Sequence, residues 1–300
     1  MQTFLPYPDF RQSAAALDRA RLGKQRVEAL QVLRALVIPQ YGWQTHPAVR
    51  MWMGHVPALT MYGLAMVDEW VARGGEDTTR GRILEFAPQA GHPDYADRIQ
   101  MPYWLGDPGF HLAHRSRLLA KEPAFYADVF PGTDPDLEYL WPEPKLELLP
   151  EDPEGEKMWI LRLPVEGTDP SDLLTVSLPP VRGKGAAPDD GEYQFVYAEP
   201  TSRRPEKNAK KRPAKPQPKK PTRKRLAQEE AFTTLPGKSV VAVPFDAGRT
   251  FAVGKVVGRP IEVEGRFARN FEVDEVIARE EFDYPALLQD PRLFFPVPAR

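Results

Sequence analysis

Three hundred residues exceed one ordinary domain, and 42% hydrophobic with 10% aromatic residues can fill at least one core. The absence of cysteine excludes disulfides, thiolate catalysis and cysteine-ligated zinc. A net charge of −2 hides an asymmetry: residues 200–226 hold 12 of the 40 Lys and Arg and one acid, Glu206, which leaves about −13 on the remainder. No run approaches the ~18 apolar residues of a spanning helix. "MQTFLPYPDF" lacks the basic and apolar regions of a signal peptide. A cytoplasmic location is therefore expected, at the nucleoid if the chain binds DNA.

The first expected helix carries "ARLGKQRVEALQVLRAL". Leu22, Ala29, Leu33 and Leu36 recur at helical spacing, Asp9 or Ser13 is placed to cap the start, and Pro39 ends it. A second helix is expected from Val56 to Arg73, with Pro57 in its first turn and Gly74-Gly75 behind it. A short third covers Thr79 to Phe86. "GFHLAHRSRLLAKEPAFYADVF" supplies a fourth, interrupted at Pro123. All five histidines lie in this part of the chain.

From about residue 144 the texture changes. "MWILRLPV", "LLTVSLP" and "EYQFVYAE" read as short strands divided by Pro, Gly and Asp turns. A Pro/Lys/Arg stretch with no large apolar residue follows and is expected to be disordered. "SVVAVPF", "TFAVGKVVG" and "IEVEG" read as strands of a last small domain, finished by a short helix and an apolar end. The expected class is multi-domain α+β. An all-α helical domain spans 1–143, a β-rich segment 144–199, a basic linker 200–230 and a small β domain 231–300. The two β segments are either separate or one barrel interrupted by the linker.

The first helix sets one carboxylate, Glu28, among cations. Arg21, Lys24 and Glu28 share a face, and Arg19 and Arg26 line the next. Such cations suit phosphates, with affinity that falls steeply in salt. Arg115, Arg117 and Lys121 form a second basic row, followed by Phe125 and Tyr126 as stacking or wedge groups. His55 is placed to orient a carboxylate or touch a phosphate. The bland reading of Glu28 is an exposed pair with Lys24, worth a few tenths of a kcal/mol. For His111 and His114, three residues apart, a metal pair is the weaker reading, since no acidic partner stands near them on that helix.

Several patterns coincide in order. Leu22 is followed six residues later by Glu28, then come "HPAVRMWMGHVPAL", "EWVARGGEDT" and "HRSRLLAKEPAFYADVFPG". Over roughly residues 1–132 this set resembles the pyrimidine dimer DNA glycosylases of the bacteriophage endonuclease V type. The resemblance implies an all-α domain that binds damaged double-stranded DNA. It implies cleavage of the glycosyl bond of a cross-linked pyrimidine and then nicking of the strand as an abasic-site lyase, with no metal or cofactor. It implies that the N-terminal α-amine, here of Met1, is the nucleophile, and that Glu28 stands where the family has its essential glutamate. Family members expose a small second residue after losing Met; Gln2 is large, so Met1 is expected to stay. The chain before Glu28 is longer than in the family, with the extra residues around "RQSAAA", and Val27 replaces a basic residue.

The chemistry of these groups is independent of the name. An α-amine loses its proton about two units below lysine, so a useful fraction is free base near neutrality. It can form an imine at the sugar C1′, while a carboxylate stabilises the charge that builds on the sugar and then takes the C2′ proton. The rival expectations are a catalytically silent nucleic-acid binder on the same helical fold and a protein-interaction scaffold. A protein partner is expected, if anywhere, at the β region.

Overall fold

The computed structural model describes residues 1–162, 169–170, 175–178, 222–263 and 266–299. The protein is mixed α+β and divides into two compact units. The first comprises Met1–Glu151 with Tyr284–Asp290, the second Asp152–Asp283 with Pro291–Arg300. No helix among the described residues is long and apolar enough to cross a membrane.

The regular elements of residues 1–151 are helices: α1 (Phe10–Ala15), α2 (Arg19–Val37), α3 (Pro47–Arg50), α4 (Val56–Ala72), α5 (Arg80–Leu84), α6 (Pro93–Ala96), α7 (Pro108–Lys121) and α8 (Pro123–Val129). The single opening helix expected from the sequence is two. Asp9 caps α1 through the Gln12 N–H, and Asp18 caps α2 through the N–H groups of Ala20 and Arg21. The extra residues around "RQSAAA" are thus α1, which packs on α4. Pro108 opens α7 behind Asp107, whose side chain accepts the Phe110 N–H at 2.8 Å.

Helices α2 and α4 form the centre of this unit. Their approach is close: a Cβ on Gly63 would sit 3.4 Å from that of Ala29. Leu22, Ala29, Leu33, Leu59, Tyr62 and Met66 are fully buried between them and their neighbours. Phe10, Trp52, Tyr62, Trp104 and Phe110 form a continuous aromatic cluster with ring centroids 4.8–6.4 Å apart. The segment after α8 stays with the helices to Glu151, beyond the expected boundary at 143. Polar ties explain this: Arg50 pairs with Glu143 and Glu147, and the Tyr103 hydroxyl donates to the Glu143 carbonyl at 2.8 Å.

In the second unit both groups of strands join one six-stranded sheet. The strands are β1 (Lys157–Leu161), β2 (Thr175–Leu178), β3 (Val240–Phe245), β4 (Thr250–Val263), β5 (Arg266–Ala278) and β6 (Phe294–Pro298), in the order β2-β5-β4-β3-β1-β6. Among the described residues only β1 and β3 pair in parallel. "TFAVGKVVG" and "IEVEG", read as two strands, are largely one: β4 runs through both with a register shift between Val257 and Ile261. The sequence reading missed β5, because Arg269 takes a core-facing position there; its guanidinium donates to the Gly258 carbonyl at 2.7 Å. The linker expected to reach residue 230 stops short of it. Thr222 caps a helix, α9 (Arg223–Thr234), which buries Gln228 and Phe232. Its charged residues "RKR" and "EE" disguised that helix. The strand expected at 192–199 and the basic stretch 200–221 lie outside the described residues.

Candidate active site

The N-terminal segment is threaded through the helical unit, and nearly every polar backbone group of residues 4–7 is held by a side chain. The Phe4 N–H donates to Gln25 Oε1 at 2.8 Å, and the Tyr62 hydroxyl lies 2.6 Å from the same oxygen and 3.0 Å from the Phe4 carbonyl. The Leu5 N–H donates to His114 Nδ1 at 3.0 Å, and His111 Nδ1–H donates to the Leu5 carbonyl at 2.7 Å. Arg115 Nε–H donates to the Pro6 carbonyl at 2.8 Å, and the Ser13 hydroxyl bridges both backbone groups of Tyr7. Thr3, Phe4 and Leu5 are buried.

Glu28 is buried too, with 9% of its surface exposed. Gln25 joins it to the threaded segment. With Oε1 taken by the Phe4 N–H, the Gln25 amide must turn its NH2 toward Glu28, and Nε2 donates to Glu28 Oε2 at 3.0 Å. The bond requires an acceptor, which the carboxylate supplies. Lys24 reaches the other oxygen, Oε1, at 3.7 Å with its own side chain 73% exposed. The Lys24 pair of the bland reading therefore exists, but its acid is buried and held by a second, internal donor.

His46 stands in the same neighbourhood. Burial lowers its pKa, the amino terminus of Met1 lowers it further, and Glu28 opposes both. Its Nδ1 accepts the Ala48 N–H at 3.1 Å and so caps α3, which keeps Nδ1 unprotonated. Its ring meets Trp43 edge-on at 5.8 Å and Trp141 at 5.9 Å, and Trp141 packs on Tyr139 at 4.4 Å. Tyr139 closes the row against the threaded segment. Burial raises its phenol pKa, while a hydrogen bond from Gln2 and the charge of Arg117 lower it. The charge of Glu28 raises the pKa of that phenol and opposes the exposed Arg117.

The predicted cations divide by exposure. Lys24, Arg117 and Lys121 are exposed, as is Arg19, which lies over the Trp70 ring at 4.9 Å. Arg21 is held by Asp18, Glu122 and the Lys121 carbonyl at 3.1–3.3 Å. Arg26 is buried, pairs with Asp77 at 2.7 Å and also lies over the Trp70 ring at 4.9 Å. Its charge is spent inside the protein, so Arg26 leaves the set of candidate phosphate contacts. Arg115 is half-buried, tied to the Pro6 carbonyl and stacked over Tyr7 at 4.7 Å.

Of the expected stacking pair, Phe125 is exposed and Tyr126 is fully buried. The Tyr126 hydroxyl donates to Asp18 Oδ2 at 2.6 Å and accepts the Asp18 N–H at 3.1 Å. A buried ring cannot stack on a base, and Tyr126 is corrected to a lock on the α2 cap. His55, at the start of α4, has a buried Nδ1 with no hydrogen-bond partner among the described residues; burial lowers its pKa, the Gln100 backbone opposes this and the charge of Lys145 adds to it.

Gln25, Trp43, His46, Tyr139 and Trp141 were missed in the sequence. Gln25 lies one turn before Glu28 on α2, which is the one signal that pointed to it. The others sit in loops, where no periodicity marks them. The loop before α3 is strained: Gln40 and Trp43 take φ of 57° and 71°, at a cost of about 1 kcal/mol or more each. Trp43 is 63% exposed.

No curated protein and no solved structure matches the chain. Residues 1–81, which hold the threaded segment, Gln25, Glu28, Trp43 and His46, match the model of the pyrimidine dimer DNA glycosylase family.

Proposed function

We propose that the protein is a DNA-repair glycosylase acting on damaged pyrimidines in double-stranded DNA, with abasic-site lyase activity. The observation that carries this reading is the Gln25 bridge, which ties the backbone three residues from Met1 to a buried carboxylate. The Met1 α-amine is the nucleophile. It attacks C1′, the glycosyl bond breaks, and the base departs with the bonding electrons. The nitrogen then loses a proton and the C1′–O4′ bond opens, its electrons leaving on O4′, which takes up a proton, and an imine remains at C1′. Glu28 stabilises the positive sugar while the base leaves, then removes the C2′ proton; those electrons expel the 3′ phosphate. Lys24, Arg117, Lys121 and Arg19 supply the exposed charge for phosphates, and Phe125 remains available to a base.

Borohydride reduction of a mixture with abasic duplex DNA tests the nucleophile. A covalent adduct at the Met1 peptide is expected, with intact mass confirming a free amine. A wild-type protein that gives no adduct ends the lyase reading.

A further inference from the structure

Beyond α8 the chain carries an apolar strip that the helical unit does not cover. From Pro142 to Pro150 it forms neither helix nor strand. What fastens it to the helices is polar. Glu143 and Glu147 reach Arg50 at 2.9 and 2.5 Å, and Lys145 Nζ lies over the Tyr103 ring at 4.7 Å. The leucines stay in water: Leu146 is 63% exposed, Leu148 50% and Leu149 56%. Three such residues within four positions make a patch, unlike the single exposed apolar residues of an ordinary surface. The backbone N–H and carbonyl groups of residues 145–149 make no backbone hydrogen bond among the described residues.

We infer that residues 145–149 are a docking strip for another protein, one with an apolar groove for the leucines and a basic rim. Charge selects that occupant. Residues 143–156 hold six acids, Glu143, Glu147, Glu151, Asp152, Glu154 and Glu156, against the single Lys145. The balance repels phosphate, so neither nucleic acid nor an anionic membrane fits, and it repels the same strip on a second copy. Apolar anchors inside a rim of complementary charge are the ordinary anatomy of a protein interface. The unpaired backbone can also add to a sheet edge of the partner. Because the Arg50 pairs already hold the strip, docking costs it less freedom than it would cost a loose segment. The strip lies on the helical unit, ahead of the β region, and its role holds whether or not Met1 and Glu28 cut DNA.

Full-length protein carrying a benzophenone amino acid in place of Leu148 is irradiated in an extract of its own host cells. The same group in place of Val71, an exposed residue of α4, is the control. A discrete heavier adduct is expected at the strip and not at the control. The protein it contains, identified by mass spectrometry, is then purified and titrated against the full chain. Leu146→Ser combined with Leu148→Ser should weaken that binding at least about ten-fold. Leu146→Met combined with Leu148→Met should keep it, and added salt should weaken the wild type. Because the side chains are exposed, both double variants should melt with the wild type. The inference is overturned by no adduct above the control, by a crosslink confined to this chain or a second copy, or by a nuclease-sensitive adduct. Equal binding by the serine variant, or binding that ignores salt, overturns it as well. A failed borohydride trap removes the lyase reading and leaves this one standing.

Discussion

Two side chains of α2 carry most of the functional argument, and their roles separate experimentally. An aldehydic abasic site can form an imine with the amine alone, whereas elimination needs a base. Glu28→Gln should therefore still trap on abasic DNA under borohydride but nick it at least about 100-fold more slowly; equal loss of both would make Glu28 structural. Gln25→Ala leaves the carboxylate in place and strips the Phe4 N–H of its buried acceptor. It should cost about 1–3 kcal/mol in urea unfolding and lower trapping by displacing the amine. Full trapping in that variant would show that the bridge does not position the terminus. Glu28 could be singled out from its spacing and charge. Its donor could not, because glutamines at helical spacing are ordinary and only the threaded segment turns this one inward.

At the scale of elements, α7 and the α2–α4 pair show how local pattern and packing part company. His111 and His114, a turn apart, could suggest metal ligands, yet they grip the two backbone groups of Leu5 from one helix face. His114 is fully buried, and desolvation followed by the charge of His111 pushes its pKa down to about 3. The unfolded chain binds that proton more readily, so the stability due to neutral His114 is complete above the ordinary value of about 6.5. It is lost as pH falls from there toward 3. Chemical unfolding between pH 7 and 4 should show this slope, and His114→Gln, which keeps an acceptor for Leu5, should flatten it. The slope persisting in that variant would assign it to other groups. On α2, Gly23 looks like a helix defect, worth about 1 kcal/mol if replaced by Ala. A Cβ there would meet the Trp70 ring at 2.8 Å, and Arg19 and Arg26 both lie over that ring. Gly23→Ala should therefore lower rather than raise the melting temperature.

At the scale of the whole molecule, the chain interleaves its units, since Tyr284–Asp290 belongs with the helices. Gln289 explains why: its Nε2 donates to the Arg82 carbonyl at 2.9 Å and to Glu85 Oε2 at 2.7 Å, and its Oε1 accepts from Arg34 Nε at 3.0 Å. Gln289→Ala should destabilise the helical unit by about 1–3 kcal/mol, measured by exchange protection of α2 amides. Unchanged protection would make the contact incidental.

The sequence by itself determined α2, α4, α5, α7 and α8 and most of the described strands, because apolar periodicity, caps and prolines act within a few residues. It determined the candidate acid for the same reason, since Glu28 is a lone carboxylate in a local run of cations. Tertiary structure alone decided what faces that acid. The path of residues 1–7, the burial of Tyr126 and Arg26, the return of Gln289 and the aromatic row ending at Trp43 all depend on contacts between residues far apart in the chain. No local pattern encodes such contacts, because each partner satisfies its own neighbourhood equally well without the other.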